Sequence, residues 1–235
     1  MQKTCRDSGT EEEEVNIRNF REMDLPAMDT SDRLVVIFNN QEKLREKYIL
    51  IETGNGFHCP ISANLHDAKD QHALKDLAWR TVEELAEAMD AATIHENGWD
   101  HDHSKEEVAD ALHFLVEMAL LSGIDPLVFR DNKPGDSLTR LFARGLQVYQ
   151  ASTKAPDTLF ATFVTQLGMV CHTLKNKPWK QTQLLTDVKE YKSRLCEAFI
   201  WFAAFCHSVK LNDADLFDLY HRKSQVNEFR QRSNY

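Results

Sequence analysis

Glycine and proline are scarce in this chain of 235 residues, which has 8 and 6 of them respectively. Proteins built from many short strands need these residues at their frequent turns, so their scarcity argues against an all-β protein. No segment sustains the alternation of apolar and polar residues that predicts a strand, and no repeat recurs at a fixed period. The long segments with helical periodicity that remain favour an all-α fold.

Metal-binding cysteine spacings and long apolar runs are also missing. The five cysteines include no CxxC pair, which is typical of reduced cysteines buried in a cytoplasmic protein. The longest apolar run, residues 198–206, is too short to span a bilayer, and the sequence shows no secretory or lipidation signal. We therefore expect a cytoplasmic protein with no membrane partner.

Basic residues are outnumbered, because 28 Lys and Arg stand against 37 Asp and Glu and give a formal net charge of −9. A surface that binds nucleic acid is normally basic, so we expect no nucleic-acid partner. A free nucleotide is not excluded, since a divalent cation can neutralise its phosphates. The 42% of hydrophobic residues are enough to build a core.

The helical periodicity predicts a single all-α domain over residues 29–235, preceded by an acidic, mobile leader over residues 1–28. We expect a helical bundle in which antiparallel helices form a four-helix core and additional C-terminal helices pack around it. The seven predicted helices begin and end near residues 32–54, 70–94, 104–123, 138–150, 157–174, 183–209 and 212–235.

Two pairs of carboxylates, each three residues apart, lie on consecutive predicted helices. Glu84 and Glu87 form the first pair, and Glu107 and Asp110 form the second. Residues i and i+3 share a face of a helix, so two such helices packed side by side bring the four carboxylates together. Close carboxylates repel unless a cation lies among them, and Mg²⁺ is the cation that prefers oxygen ligands and binds phosphates.

A metal at this position has a definite chemistry. It polarises a phosphoryl oxygen and lowers the pKa of a bound water. A remaining carboxylate can orient and deprotonate that water, and Glu83 and Glu84 are the candidates for this general base.

Two other interpretations of the acidic pairs remain open from the residues alone. Ser104 and Glu107 have the spacing of a capping box, in which the carboxylate bonds the backbone of the helix start. Glu83, Glu84 and Glu87 have the spacing of solvated charges on an amphipathic helix. Nearby, His101 and His103 suit either a transition-metal site or a flexible polar loop.

The ExxE and ExxD pairs resemble those of the all-α NTP pyrophosphatase superfamily, which includes MazG-like enzymes, dimeric dUTPases and phage dCTP/dUTP pyrophosphatases. Three further segments resemble the dimeric dUTPase branch. They are residues 110–114 (DALHF), residues 41–44 (QEKL) and residues 220–231 (YHRKSQVNEFRQ). In that branch an Asn often follows the early Leu, whereas this chain has Arg45.

The resemblance implies an enzyme that hydrolyses dUTP between the α and β phosphates to give dUMP and pyrophosphate. It implies Mg²⁺, with Mn²⁺ as a possible substitute, and a metal site made of Glu84, Glu87, Glu107 and Asp110. It also implies a homodimer with a small-molecule dNTP substrate. The location would be cytoplasmic, or the host cytoplasm if the chain is phage-encoded.

The resemblance also implies the residues that contact the substrate. Gln41 would bind the pyrimidine edge, and Phe114, beside His113, would pack on the base or sugar. Phosphate or sugar would be held by Lys223, Asn227 and Arg230, whose spacing places them on one helical face. A solvated basic C-terminus is the alternative interpretation of that face. Trp179 and Lys180 would add an aromatic and a cationic group.

Other functions remain open alongside hydrolysis of dUTP. The nearest is the same reaction on dCTP or on both pyrimidines, because a glutamine amide can present either a donor or an acceptor. A second alternative is a non-catalytic helical protein that senses nucleotides. A third is a helical scaffold without a ligand.

Overall fold

The computed structural model describes residues 32–152, 155–177 and 181–232. These residues form seven α-helices and no strand, which confirms the predicted all-α fold. The helices are α1 (Arg33–Gly54), α2 (Ala68–Ile94), α3 (Asp102–Leu121), α4 (Ser137–Ala151), α5 (Pro156–Thr173), α6 (Val188–Ser208) and α7 (Asp213–Arg232). Short 3₁₀ helices, Gly98–Asp100 and Pro126–Arg130, precede α3 and α4. The predicted leader, Trp179 and Lys180 lie outside the described residues.

The sixth predicted helix is wrong over its first residues, because α6 begins at Val188 rather than near residue 183. Distant side chains hold the backbone there in a non-helical conformation. Asn176 Oδ1 accepts a hydrogen bond from the backbone of Leu184 at 2.8 Å, and the backbone of Thr186 donates to His66 Nδ1 at 3.2 Å. The other predicted helices agree to within a few residues. The four-helix core and the single domain over residues 29–235 stay predictions.

Helices α2 and α3 form an antiparallel pair. Their contact is apolar, and Leu74 and Leu85 of α2 and Leu115 of α3 are fully buried. Arg80 lies over the ring of Phe114, whereas Glu84, one turn later on α2, lies beside Glu107. Residues later in α2 therefore contact residues earlier in α3, and this arrangement brings Glu84 close to Glu107 and Asp110.

Helix α6 lies between α4 and α5 and supplies much of the core. Its apolar run is buried on several sides, as the fully buried rings of Phe199, Phe202 and Phe205 show. Gly145 lets α4 approach closely, since a Cβ at that position would lie 2.6 Å from the Cβ of Ala203. None of the helices in the described ranges has both the length and the apolar character needed to cross a membrane.

Helices α1, α3 and α7 pack against one another. The buried carboxylate of Asp32 fixes the start of α1, because it caps the helix and accepts hydrogen bonds from Arg130 and Ser137. The guanidinium of Arg33 then pairs with Asp136 at 2.8 Å and with Asp213 at 2.6 Å. These contacts tie the start of α1 to the starts of α4 and α7.

Candidate active site

Three carboxylates converge between α2 and α3. Glu84 comes from α2, and Glu107 and Asp110 come from α3. One oxygen of each lies within 4.8 Å of the others. Glu107 is buried and the other two are half-buried, so the charges are poorly screened by solvent. Of the four predicted metal ligands, Glu87 is the one outside this acidic cluster, and its side chain is exposed.

Two carboxylates of the acidic cluster, Glu84 and Asp110, hold protons more tightly than ordinary carboxylates. Burial raises the pKa of Glu84 to about 8, and a hydrogen bond with Glu107 and the charge of Asp110 add to the shift. Burial also raises the pKa of Asp110 to about 6, although the ammonium group of Lys223 acts in the opposite direction. A bound cation would favour the ionised forms of both residues.

Lys223 of α7 reaches the acidic cluster directly. Its Nζ lies 2.6 Å from Oδ2 of Asp110, and both side chains are largely buried. The proximity of this carboxylate raises the pKa of Lys223 against the effect of burial, so the pair is ionic. Lys223, which is predicted to bind phosphate, therefore contacts Asp110, which is predicted to bind the metal.

The start of α3 shows that Glu107 is not a capping residue. The helix begins at Asp102, and its N-cap is His101, whose Nδ1 accepts from the backbone of His103. Ser104 Oγ instead donates to the carbonyl of Gly98 at 3.4 Å. Glu107 Oε1 lies 3.1 Å from His103 Nδ1 and faces the acidic cluster. The capping-box interpretation of this motif is thus wrong.

His101 does not join His103 in a metal site among the described residues. The ring of His101 stacks on His95 at 3.6 Å between centroids, whereas His103 faces Glu107. The acidic cluster is the one group of three or more potential metal ligands found in the described ranges.

Glu83 and Glu84 have different surroundings although they are neighbours in sequence. Glu83 is exposed, and its Oε1 accepts a 2.6 Å hydrogen bond from the indole of Trp79. Glu84 belongs to the acidic cluster. The structure therefore separates the two candidates for the general base, and the one near the metal ligands is Glu84.

Gln41 lies at the centre of a buried polar network and is only 2% exposed. Its Oε1 accepts from the hydroxyl of Tyr220 at 2.9 Å and lies 2.7 Å from His113 Nδ1. Burial lowers the pKa of His113 to about 3, so the ring is neutral and its Nδ1–H donates to Gln41. Gln41 Nε2 donates to Glu117 at 3.2 Å. These partners fix the orientation of the amide, so it cannot reverse freely to suit either pyrimidine.

Arg45, one turn along α1 from Gln41, is also buried. Its guanidinium donates to the carbonyl oxygens of Pro60 and Ile61, and its Nε lies 3.3 Å from Glu117 Oε1. Burial raises the pKa of Glu117, and the charge of Arg45 opposes that shift. Sequence reasoning missed Glu117, although its position seven residues after Asp110 places it on the same face of α3.

A pocket of about 120 Å³ opens beside Arg45 and Glu117. Arg80 of α2 forms part of its wall and pairs with Glu52 at 2.6 Å and with Asp76 at 2.9 Å. Its guanidinium also lies 5.7 Å from the centre of the half-buried Phe114 ring. The sequence does not predict that Arg80 lines this pocket, because its contacts are with Glu52 of α1 and Phe114 of α3, which are distant in sequence.

The remaining predicted substrate residues lie on α7. Asn227 and Arg230 are half-buried and follow Lys223 at three- and four-residue steps. Tyr48 of α1 faces this end of α7, since both Arg230 and the carboxylate of Asp110 affect its pKa, which burial raises overall. Side chains of α1 and α7 therefore lie near the acidic cluster, and we name the region between them the candidate cleft.

A family model described as dUTPase matches residues 61–235, about three quarters of the chain. The chain belongs to this dUTPase family. The matched residues include α2, α3 and α7, and therefore the acidic cluster and Lys223. Helix α1, with Gln41 and Arg45, precedes the matched region. Neither the curated proteins nor the solved structures give a match to the chain.

The acidic cluster fits the divalent metal on which dUTPases of this helical family generally depend. Its donors are carboxylate oxygens only, which suits a hard cation rather than a thiolate- or imidazole-seeking metal. Burial is the main cause of the raised pKa values of Glu84 and Asp110, and a divalent cation would favour the ionised forms that bind it.

Proposed function

We propose that this protein is a Mg²⁺-dependent nucleotide pyrophosphohydrolase that converts dUTP and water into dUMP and pyrophosphate. The observation that carries the proposal is the acidic cluster, whose three carboxylates lie within 4.8 Å of one another in a chain of the dUTPase family. Membership of that family supports a hydrolase acting on a nucleoside triphosphate. The identity of the base and of the bond cleaved is part of the proposal.

Glu84, Glu107 and Asp110 would hold Mg²⁺, for which Mn²⁺ could substitute. Glu87 lies one turn after Glu84 on α2 and could complete the set from its exposed position. The metal would polarise a phosphoryl oxygen and lower the pKa of a bound water. The protein's own contribution is to hold the carboxylates in a cleft where solvent screens them poorly.

Glu84 is the better candidate for the general base. Its carboxylate lies among the metal ligands, where a water attacking the α-phosphorus would have to be deprotonated. Burial raises the pKa of Glu84 to about 8 in the absence of metal, and a bound cation would favour the ionised form that accepts a proton. The exposed Glu83, which bonds Trp79, is the weaker candidate.

The cleft offers groups for each end of a nucleotide. Lys223, Asn227 and Arg230 share one face of α7 and would bind phosphate or sugar oxygens. Asp110 and Glu117 mark two levels of α3, since seven residues separate them and this spacing is about 10 Å along the helix axis. The half-buried Phe114 lies between these two levels, where the base would bind, and the buried Gln41 and His113 would bound that end of the site.

Hydrolysis of dCTP, or of both pyrimidine nucleotides, is the second candidate function. The carboxylate of Glu117, which is 18% exposed and can only accept hydrogen bonds when ionised, is compatible with this function. The exocyclic amino group of cytosine donates, so it can pair with this carboxylate. The N3–H of uracil also donates, and therefore both bases remain compatible with the cleft.

We also propose a homodimer in the cytoplasm. Several apolar side chains are prominently exposed, including Leu50, Ile61 and Trp79, and a second copy of the chain could cover them. The dUTPase family supports a soluble nucleotide-metabolising protein. A non-catalytic protein that senses nucleotides would share the cleft but not the chemistry.

A panel of the four dNTPs and dUTP, assayed with and without Mg²⁺, tests the proposal. We expect Mg²⁺-dependent release of pyrophosphate with dUTP as the best substrate. Faster turnover of dCTP would select the second candidate. Binding of dUMP without turnover of any nucleotide would select the sensing protein. A chain whose melting temperature no dNTP changes in the presence of Mg²⁺ would be a scaffold.

A further inference from the structure

The ammonium group of Lys223 contacts one of the three carboxylates of the acidic cluster. Its Nζ is 2.6 Å from Oδ2 of Asp110, and the two side chains are only 16% and 18% exposed. Asp110 is also one of the three cluster residues whose oxygens lie within 4.8 Å of one another. Asp110 therefore belongs both to an ion pair with α7 and to the metal site between α2 and α3.

A divalent ion and the Lys223 ammonium oppose each other at this carboxylate. A cation bound among Glu84, Glu107 and Asp110 would lie a few ångströms from Nζ, and like charges at that distance repel strongly when solvent screening is weak. The ion pair of Lys223 and Asp110 therefore lowers the affinity of the site for the metal, and a bound metal weakens the ion pair. A phosphate oxygen relieves the conflict, because it can accept the lysine hydrogen bond in place of Asp110.

We propose that Lys223 couples the binding of the metal to the binding of the phosphates. It neutralises Asp110 before the metal binds and moves to a phosphate oxygen when the metal and nucleotide bind together. This inference rests on the proposed function, since it takes the nucleotide phosphates to be the ligand of the cleft. By linkage, the metal and the phosphates then raise each other's affinity by the same factor.

The metal affinity of Lys223→Met, measured without nucleotide, tests the coupling. Free Mn²⁺ is followed by electron paramagnetic resonance in titrations of the wild type, Lys223→Met and Lys43→Met, the last being an exposed lysine of α1. We expect Lys223→Met to bind Mn²⁺ at least about fivefold more tightly than the wild type, because a competing charge is gone. Lys43→Met should match the wild type. A smaller gain, or weaker binding, overturns the proposal, because a merely structural lysine would weaken the site when removed.

A second measurement uses the wild type alone, so it does not depend on the folding of a variant. The acetylation rate of the Lys223 amine is followed by mass spectrometry with no addition, with Mg²⁺, and with Mg²⁺ plus the non-hydrolysable α,β-imido-dUTP. We expect Mg²⁺ alone to speed acetylation by releasing the amine from Asp110, and the analogue to slow it again. A rate that Mg²⁺ leaves unchanged overturns the proposal.

The coupling and the proposed function fail in different ways. If the wild type releases pyrophosphate from dUTP but neither Mn²⁺ affinity nor acetylation responds as expected, the coupling is wrong and the function stands. If no dNTP is hydrolysed, the proposed function is wrong. The Mn²⁺ titrations and the Mg²⁺ arm of the acetylation experiment still decide whether Lys223 competes with the metal.

Discussion

Gln41 on α1 and His113 on α3 are joined by a 2.7 Å hydrogen bond between Oε1 and Nδ1, although 72 residues separate them in the chain. The same oxygen accepts from Tyr220 on α7, so one amide links α1, α3 and α7. His113 also stacks on Tyr220, with ring centroids 4.0 Å apart. The base end of the proposed site is therefore a rigid polar core rather than a row of independent contacts.

The variant Gln41→Ala should destabilise the fold. It leaves the His113 ring without its hydrogen bond, whereas Tyr220 keeps the carbonyl of Ile37 and Glu117 keeps Arg45. A buried polar group left unpaired costs about 1–3 kcal/mol. We expect the free energy of unfolding in urea to fall by about 2–3 kcal/mol. The exposed Gln147→Ala on α4 should change it by less than about 0.5 kcal/mol. Equal effects of the two variants would show that the network does not stabilise the helices.

Removing one partner of the buried ion pair between Arg45 and Glu117 should destabilise the fold. Arg45→Met leaves a largely buried carboxylate without its cation and frees the carbonyl oxygens of Pro60 and Ile61. We expect a loss of about 3 kcal/mol in urea unfolding. The double variant Arg45→Met/Glu117→Met should recover part of that loss, because no unpaired charge remains although Gln41 Nε2 then lacks its acceptor. A double variant as unstable as the single one would contradict this account.

The metal-free protein should become less stable as the pH rises from about 5 to 8. The pKa of Glu84 in the folded protein is about 8, above its ordinary value of 4.5, so the folded state binds more protons than the unfolded chain between these values. The free energy of unfolding must then fall with rising pH. Urea unfolding in the presence of a chelator measures the slope, and Glu84→Gln should flatten it. An unchanged slope in that variant would place the titration elsewhere.

Removal of one carboxylate should abolish metal-dependent behaviour while the fold is kept. We expect Asp110→Asn to lose the rise in melting temperature that Mg²⁺ gives the wild type and to lower pyrophosphate release by a factor on the order of 100 or more. Asp90→Asn, an exposed residue further along α2, is the matched control and should behave as the wild type. Wild-type turnover by Asp110→Asn would mean that the metal binds at another position.

The features that depend on local sequence could be predicted. Helical periodicity gave the all-α fold, and the i, i+3 spacing of the acidic pairs placed Glu84, Glu107 and Asp110 on facing helices. Features that depend on distant partners could not. Residues 184–186 follow a helical pattern, yet Asn176 and His66 hold their backbone in a loop.

The same limit applies to the base end of the cleft. A glutamine in a short motif reads as a group free to contact a ligand, whereas Tyr220, His113 and Glu117 already engage Gln41 on three sides. Those partners come from two other helices, and only the folded packing shows that they meet. The predicted pairing of Lys223 with phosphate is likewise complicated by its contact with Asp110.

The identity of the products tests the central claim most directly. Phosphorus-31 NMR of wild-type protein with dUTP and Mg²⁺ distinguishes cleavage between the α and β phosphates from cleavage between the β and γ phosphates. We predict that dUMP and pyrophosphate appear together in equal amounts and that neither appears when Mg²⁺ is chelated. The appearance of dUDP and inorganic phosphate, or hydrolysis that continues without a divalent metal, would contradict the account.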